Sequence, residues 1–576
     1  MSSPVSIAAQ GQKWNHAFDV VVVGSGASGL VAALNAAKNG ARVLILEKAP
    51  TVGGTSFRSG GACWVPNNHY LRAQGIEDSR EDALRYMARA ARPHLYSEDS
   101  PKYGLAAWEY DLHAAFYDHA GDVFEALSRM DAYRSLHVPD LPDYYAQLDE
   151  NRVKQGRVLI PLRADGRPGS GSDMVERLEA SVRACGVEIV LEHQVVDAVV
   201  SGDGDVVGLR AVGPDGPVLV QARRGVIFAS GGFTHNQELR DNYLAQPVFG
   251  GCAVATNEGD FVPIAQRLGA AMRNMNYAWL APLLVERAIR RDPNPASVFW
   301  PGGDSILYVN KYGRRGLNEK APYNELVLQM GAWDGKLQEY PNLLMFPIWD
   351  QSSMERFRGT LGDAGLMPAE GTGADHLMKA DTLEELTDLI RARVEGLATS
   401  TGGVRLADDF GKQLELSIER FNELARTGCD TDFRRGETPV ERHGIELVRA
   451  QARQLNDDLT AEWVPGSGPV QGADDGTASP NPTMREIAAK GPYYASILGS
   501  GTLDTKGGPM TNRHGQVLDH AGKPIGGLYA VGNCAASPQA HAYFAGGSTL
   551  APMITFAWFA GAHAAGKPIS GDVPVH

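Results

Sequence analysis

The chain has 576 residues, 43% apolar and 21% charged, enough to bury a large core spread over several domains. A formal charge of −14 argues against a nucleic-acid partner, which would need basic side chains to neutralise its phosphates. Five scattered cysteines, Cys63, Cys185, Cys252, Cys429 and Cys534, show no C-x-x-C spacing, so they read as reduced thiols of a cytoplasmic protein and not as a disulfide frame or a metal site.

The N-terminal MSSPVSIAAQGQKWNHAFD lacks a charged region followed by an apolar core and does not read as a secretory signal. No uninterrupted apolar run is long enough to predict a transmembrane helix. The 66 glycines favour an α/β protein with tight βα turns.

The first chemical pattern is FDVVVVGSGASGLVAALNAAKNGARVLILEK, Phe18 to Lys48. Four valines predict a buried parallel strand, and Gly24-x-Gly26-x-x-Gly29 follows it, with Ala27 and Ser28 opening a predicted helix. A second strand ends at Glu47 and Lys48. In such a unit the glycines permit a tight turn, close approach of a pyrophosphate and close helix–strand packing, while the acid takes ribose hydroxyls.

Further along lies a second cluster, Gly53-Gly54-Thr55-Ser56 with Gly60-Gly61, which a plain nicotinamide domain does not require. RRGVIFASGGF then pairs a short apolar strand with Ala229-Ser230-Gly231. Near the end, GKPIGGLYAVGNCAA places Gly532 and Asn533 after another strand, the amide being suited to a polyol chain. Three strand-plus-glycine units spread over the whole chain predict FAD held by a discontinuous Rossmann-like α/β domain.

This arrangement resembles the flavoprotein superfamily of succinate dehydrogenase and fumarate reductase. The resemblance implies an FAD domain in two parts, residues 1–295 and 484–576, interrupted by an α+β substrate or capping domain over 296–483. The middle region carries DTLEELTDLIRARV, where Thr382 and Glu385 predict a capping box, and it ends in the linker Val464 to Met484. Fumarate-type members have a His-Thr-x-Gly-Gly segment; TLDTKGG here puts Asp504 at the His position, and a carboxylate there would repel a dicarboxylate. Covalently flavinylated members carry a His where this chain has Gly54, which implies noncovalent FAD.

The tyrosines give a closer match. NEKAPY, PDYYAQ and HAYFAGG resemble segments of the 3-ketosteroid Δ1-dehydrogenases, and Lys506 in DTKGG agrees with that branch. The resemblance implies Tyr323 as a base and Tyr144 as its helper, with adjacent Tyr145 an alternative. It implies that the Tyr543 hydroxyl and the Gly547 N–H bind a ketone, stabilising its oxygen as an α proton leaves. Ser548, Thr549 and Leu550 open a predicted apolar helix whose free N–H groups would face the flavin. Tyr494 and Phe544 are further pocket candidates, Phe544 replacing a proline of the family's turn.

A cyclic ketone, foremost a steroid, is the implied substrate, with a quinone-like electron acceptor. Two alternatives stay open at this level: an ene-reductase with Arg315 as proton donor, and an electron-transfer subunit serving a membrane partner. Arg314 and Arg315 could equally pair with a carboxylate such as Glu319. The apolar stretch Tyr543 to Ala565 reads as a buried helix, with peripheral membrane contact as the other reading.

Overall fold

The computed structural model describes residues 6–7, 12–291, 302–360, 365–369, 374–457 and 479–567. The chain divides into two compact units. One comprises Met1–Ala245, Ala253–Trp279 and Asp504–His576; the other comprises Gln246–Cys252 and Leu280–Leu503. The sequence boundary at 295/296 and most of the linker 464–484 lie outside the described residues. The divisions fall instead at 245/246, 252/253, 279/280 and 503/504. The apolar runs Ala278–Leu284 and Leu498–Thr505 pair with each other in the sheet of the second unit. A buried strand carries the same apolar pattern whichever sheet it joins, so its address is invisible in the sequence.

In the first unit a parallel sheet runs in the order Glu188–Val190, Val43–Leu46, His16–Val23, Gly216–Phe228, Pro524–Ala530. The long strand Gly216–Phe228 leads two lives. Its first half pairs antiparallel with Val206–Gly213, and its end pairs in parallel with both the N-terminal and the C-terminal strands. That end brings the three glycine clusters from opposite ends of the chain to one edge. Valines at positions 20–23, Val226, Phe228 and Leu528 are buried in this sheet, as the unbroken apolar runs require.

A small antiparallel sheet of Cys63–Trp64, Val158–Pro161 and Ser135–Val138 lies in the same unit. It supports the loop that carries Tyr144. The last helix, Leu550–Ala564, packs on the first, Ala27–Lys38, where Gly561 lets the backbones meet: a Cβ there would fall 2.2 Å from the Ala32 carbonyl oxygen. The apolar C-terminal stretch is thus a core helix within this unit, with most of its residues buried.

The second unit has a six-stranded, largely antiparallel sheet centred on Leu344–Asp350. Helices Leu383–Gly396 and Phe410–Thr427 cover it with Leu386, Ile390, Leu414 and Phe421. Thr382 caps the first of these by accepting the Glu385 N–H, while Glu385 reaches back to the Asp381 N–H instead of that of Thr382. An inserted α+β domain is what the sequence implies, and this unit has that character.

Candidate functional site

The strand–turn–helix at Gly24–Gly29 is shaped by close backbone approach. Gly24 has φ +100°, and a Cβ there would sit 2.5 Å from the Ala229 carbonyl oxygen; one on Gly29 would sit 1.9 Å from the Gly24 oxygen. Gly26 differs, because its Cβ would meet nothing nearer than the Ser56 Oγ at 3.5 Å. Two glycines therefore serve packing, and Gly26 leaves room beside a cleft. That cleft runs along Gly24–Gly26, Glu47, Gly54–Ser56, Ala229–Gly231 and Asn533.

Glu47 is buried and accepts from the Ser25 N–H and hydroxyl and from the Ala49 N–H. Among the described residues three of about four acceptor positions are used, which leaves one of the kind a ribose hydroxyl needs. The Ser25 hydroxyl also receives the Gly53 N–H, joining the first and second glycine clusters, and Ser56 Oγ receives the Ala27 N–H. Gly61 is needed for packing, since a Cβ there would meet Pro161 at 2.6 Å; Gly54 and Gly60 face open space. Thr55 Oγ1 accepts from the Val254 N–H. Gly532, with φ +77°, lets the turn after the last strand pass Ser28, whose Oγ would be 2.7 Å from a Cβ.

Lys48 also lines the cleft, but its ammonium is paired with Glu258 at 2.7 Å and Asp260 at 3.0 Å. Burial pushes its pKa down, yet these two carboxylates outweigh that and hold it above the ordinary value. The expected direct cofactor contact is thus a charge already matched within the protein.

Asp504 is the centre of the cleft's polar wall. Fully buried, it accepts from the Gly232 N–H, Thr234 hydroxyl, Asn257 Nδ2 and Asn533 Nδ2. Burial raises its pKa, and the Thr505 N–H, Asn533, the Gly232 N–H and Asn257 act against that rise. The Asn533 amide is held from both ends, its Oδ1 accepting the Trp279 indole N–H at 2.9 Å. Asn257, in the turn ATNEGD, escapes sequence reading because such a turn looks like any polar surface loop. At the last helix, Thr549 is the residue before Leu550, and its Oγ1 is buried without a hydrogen-bond partner among the described residues. An orphaned hydroxyl at a helix start, together with the open Gly26 and Gly54 positions, fits an extended phosphate- and polyol-bearing group. Ser548 does otherwise: its hydroxyl closes a local turn with both the N–H and carbonyl of Ala545.

The tyrosine cluster is built beside this cradle, in the same unit. The Tyr144 and Tyr543 rings stack, with centroids 5.8 Å apart and 23° between planes. The Tyr144 N–H donates to the Phe544 carbonyl at 2.6 Å, and the Tyr145 hydroxyl accepts the Tyr543 N–H at 3.1 Å. Gly547 has φ +90°, and a Cβ would lie 2.3 Å from the Ala62 oxygen. Its carbonyl accepts from the Trp64 N–H. Its own N–H, half-buried, donates to nothing among the described residues.

Trp64 went unnoticed in the sequence and ties these pieces together. Its indole N–H donates to Asp143, the residue before Tyr144, and its ring stacks on Phe544 at 4.7 Å. Asp143 also pairs with fully buried Arg157, which grips Asp78 through two bonds of 2.8 and 2.7 Å. No spacing rule links residues 64, 78, 143 and 157. Phe544, expected in the pocket, is instead fully buried, packed on Trp64, Tyr86 and His113. A phenyl ring in place of a proline finds its apolar neighbours in the core.

In the second unit, Tyr323 is buried and is the first residue of helix Tyr323–Met330, after Pro322. Tyr494 stacks on Trp349, and its hydroxyl donates at 2.5 Å to the side chain of Gln351, the first residue of helix Gln351–Phe357, so its polar end is occupied within its own unit. Arg315 makes paired bonds to Glu319 and to Asp430. With both carboxylates fully buried, the guanidinium is held in an internal ion-pair network, the carboxylate pairing that the sequence offers as the other reading of Arg315. Among the described residues no group of His, Cys, Asp and Glu could hold a metal, and no helix is long and apolar enough to cross a membrane.

Residues 19–550 match the FAD binding domain family. A 4-oxocyclohexanecarboxylate 2-dehydrogenase from Sinomonas cyclohexanicum is 30% identical over 96% of this chain and 94% of its own length. A 3-oxosteroid 1-dehydrogenase from Mycolicibacterium smegmatis is 31% identical over 94% of this chain and 96% of its own. Among solved structures, the 3-ketosteroid delta1-dehydrogenase from Sterolibacterium denitrificans, in complex with 1,4-androstadiene-3,17-dione, matches with a TM-score of 0.75. It shares 25% identity over 96% of this chain and 100% of that one.

Proposed function

The chain belongs to the FAD binding domain family and is an FAD-dependent dehydrogenase; we propose that it introduces a C=C bond between the carbons α and β to a ring ketone, with a 3-ketosteroid as the first candidate substrate. The observation that carries this reading is a Gly547 N–H with no protein partner among the described residues, four residues after Tyr543, whose ring stacks on Tyr144. A phenol and a backbone N–H four residues apart are the donor types that a developing enolate oxygen needs.

The residues then divide the work. The cleft from Gly24 through Glu47 to Asn533 holds FAD noncovalently, Gly54 standing where flavinylated relatives carry a His. Bound FAD supplies the hydride acceptor. Tyr543 and the Gly547 N–H orient the ketone and share the charge that grows on its oxygen. Tyr323 takes the α proton and Tyr144 assists it, roles that rest on the resemblance of NEKAPY and PDYYAQ. A quinone-like acceptor fits a sequence with no second dinucleotide motif.

A smaller ring is the second reading, favoured by the relative named for 4-oxocyclohexanecarboxylate. The same donor pair would serve it. The test mixes oxidised holoenzyme anaerobically with 3-keto-4-ene steroids and with 4-oxocyclohexanecarboxylate while flavin absorbance is followed. Bleaching by one class supports ketone desaturation and identifies the ring system. No bleaching by any ketone, with FAD bound, overturns the reading.

A further inference from the structure

Lys506 is fully buried, and nothing in the chemistry above uses it. Its ammonium donates to the carbonyls of Ala540 and Ala542, each at 2.8 Å, and lies 4.1 Å from the centre of the Trp279 ring. Those two carbonyls belong to the segment that ends at Tyr543. Ala540 has φ +42°, a left-handed conformation that a residue with a Cβ seldom adopts and that persists only when its surroundings enforce it. Trp279 in turn meets the Tyr543 ring edge-on, centroids 5.4 Å apart and planes at 82°. One cation therefore holds the strained backbone leading into Tyr543 and the indole that walls its ring.

We infer that Lys506 is a positioning residue for ketone binding: it clamps Ala540–Ala542 and Trp279 so that the Tyr543 hydroxyl is presented in one orientation. This rests on the assignment of Tyr543 to the ketone. Removing the cation frees two buried carbonyls and leaves the left-handed Ala540 without its restraint. A carbon chain of similar length cannot replace it, because the carbonyls need a donor.

The test is a double-mutant cycle on the holoenzyme with the ketone that bleaches the flavin. Lys506→Met should lower kcat/KM by roughly tenfold or more with FAD content unchanged, and in a Tyr543→Phe background it should cost no more than about threefold further. Ala540→Gly, which accepts the left-handed backbone without penalty, should recover part of the Lys506→Met loss. If Lys506→Met fails to fold, Lys506→Gln, which keeps an NH2 donor but not the charge, goes through the same cycle. Independent, multiplicative losses from the two positions would overturn the inference. A Tyr543→Phe variant as active as the parent would instead overturn the assignment of Tyr543, so the two failures are distinguishable.

Discussion

The Tyr144 ring stacks on Tyr543, whereas the hydroxyl of its neighbour Tyr145 accepts the Tyr543 backbone N–H. Two adjacent tyrosines thus support the same residue in different ways, one through its ring and the other through its main chain. Tyr144→Phe keeps the stack and loses only the hydroxyl. It should lower kcat by about 10² if that hydroxyl assists proton transfer, with little change in KM. Tyr145→Phe removes one hydrogen bond worth about 1 kcal/mol and should raise KM several-fold. Steady-state kinetics of both variants decide the matter; a larger kcat loss in Tyr145→Phe would reverse the assignment.

Gly547 combines a positive φ with contact against the Ala62–Cys63 backbone. Gly547→Ala pays for both, about 1–2 kcal/mol from the left-handed backbone alone, and must displace the strand that carries Trp64. The expected outcome is a protein that retains its yellow FAD spectrum but has a lower Tm and no measurable ketone binding by spectral titration. Unchanged ketone affinity would show that the Gly547 N–H is not a substrate contact.

Asp504 gathers donors from residues 232, 234, 257 and 533. Asp504→Ala takes the carboxylate acceptor away from the side-chain amides of Asn257 and Asn533 and from the Gly232 and Thr505 N–H groups, and each such loss costs about 1–3 kcal/mol. FAD should wash out during gel filtration. Asp504→Asn, which keeps one acceptor oxygen, should retain part of it. FAD occupancy at the parent level in the alanine variant would show that this wall does not shape the cradle.

Glu319 gives the second unit an acid limit. Burial pushes its carboxyl up, but Arg315, with two hydrogen bonds, and Arg435 outweigh this and hold it down at about 2. The unfolded chain therefore takes up this proton first. The group's contribution to stability is full above its ordinary pKa of 4.5 and is lost as pH falls toward 2. Denaturation midpoints measured from pH 6 to 3 should fall less steeply in Glu319→Gln than in the parent, although the variant starts lower. Parallel curves would show that the ion pair does not set the acid limit.

The FAD cradle was the most legible part of the chain, and the reason is local. Gly24, Gly26, Gly29 and Glu47 lie within one strand–helix–strand unit, where turn geometry and strand period tie spacing directly to position. The other glycine clusters were readable as separate pieces, but only the pairing of Phe228 with both Val23 and Ala530 shows how they reach one edge.

What the amino-acid sequence determined by itself, then, was a dinucleotide cradle, together with the residue types on which the proposed ketone site is built. Tertiary structure decided which of two neighbouring tyrosines stacks on Tyr543, that Phe544 turns into the core, and that Lys48 and Arg315 spend their charge on internal carboxylates. It also joined Trp64 to Asp143, and Lys506 to Trp279 and Ala540. The physical reason is common to all of these. A side chain's direction in a loop, and the partner of a buried charge, are set by close packing and charge pairing between segments that can lie hundreds of residues apart, and neither leaves a period or a spacing in the sequence.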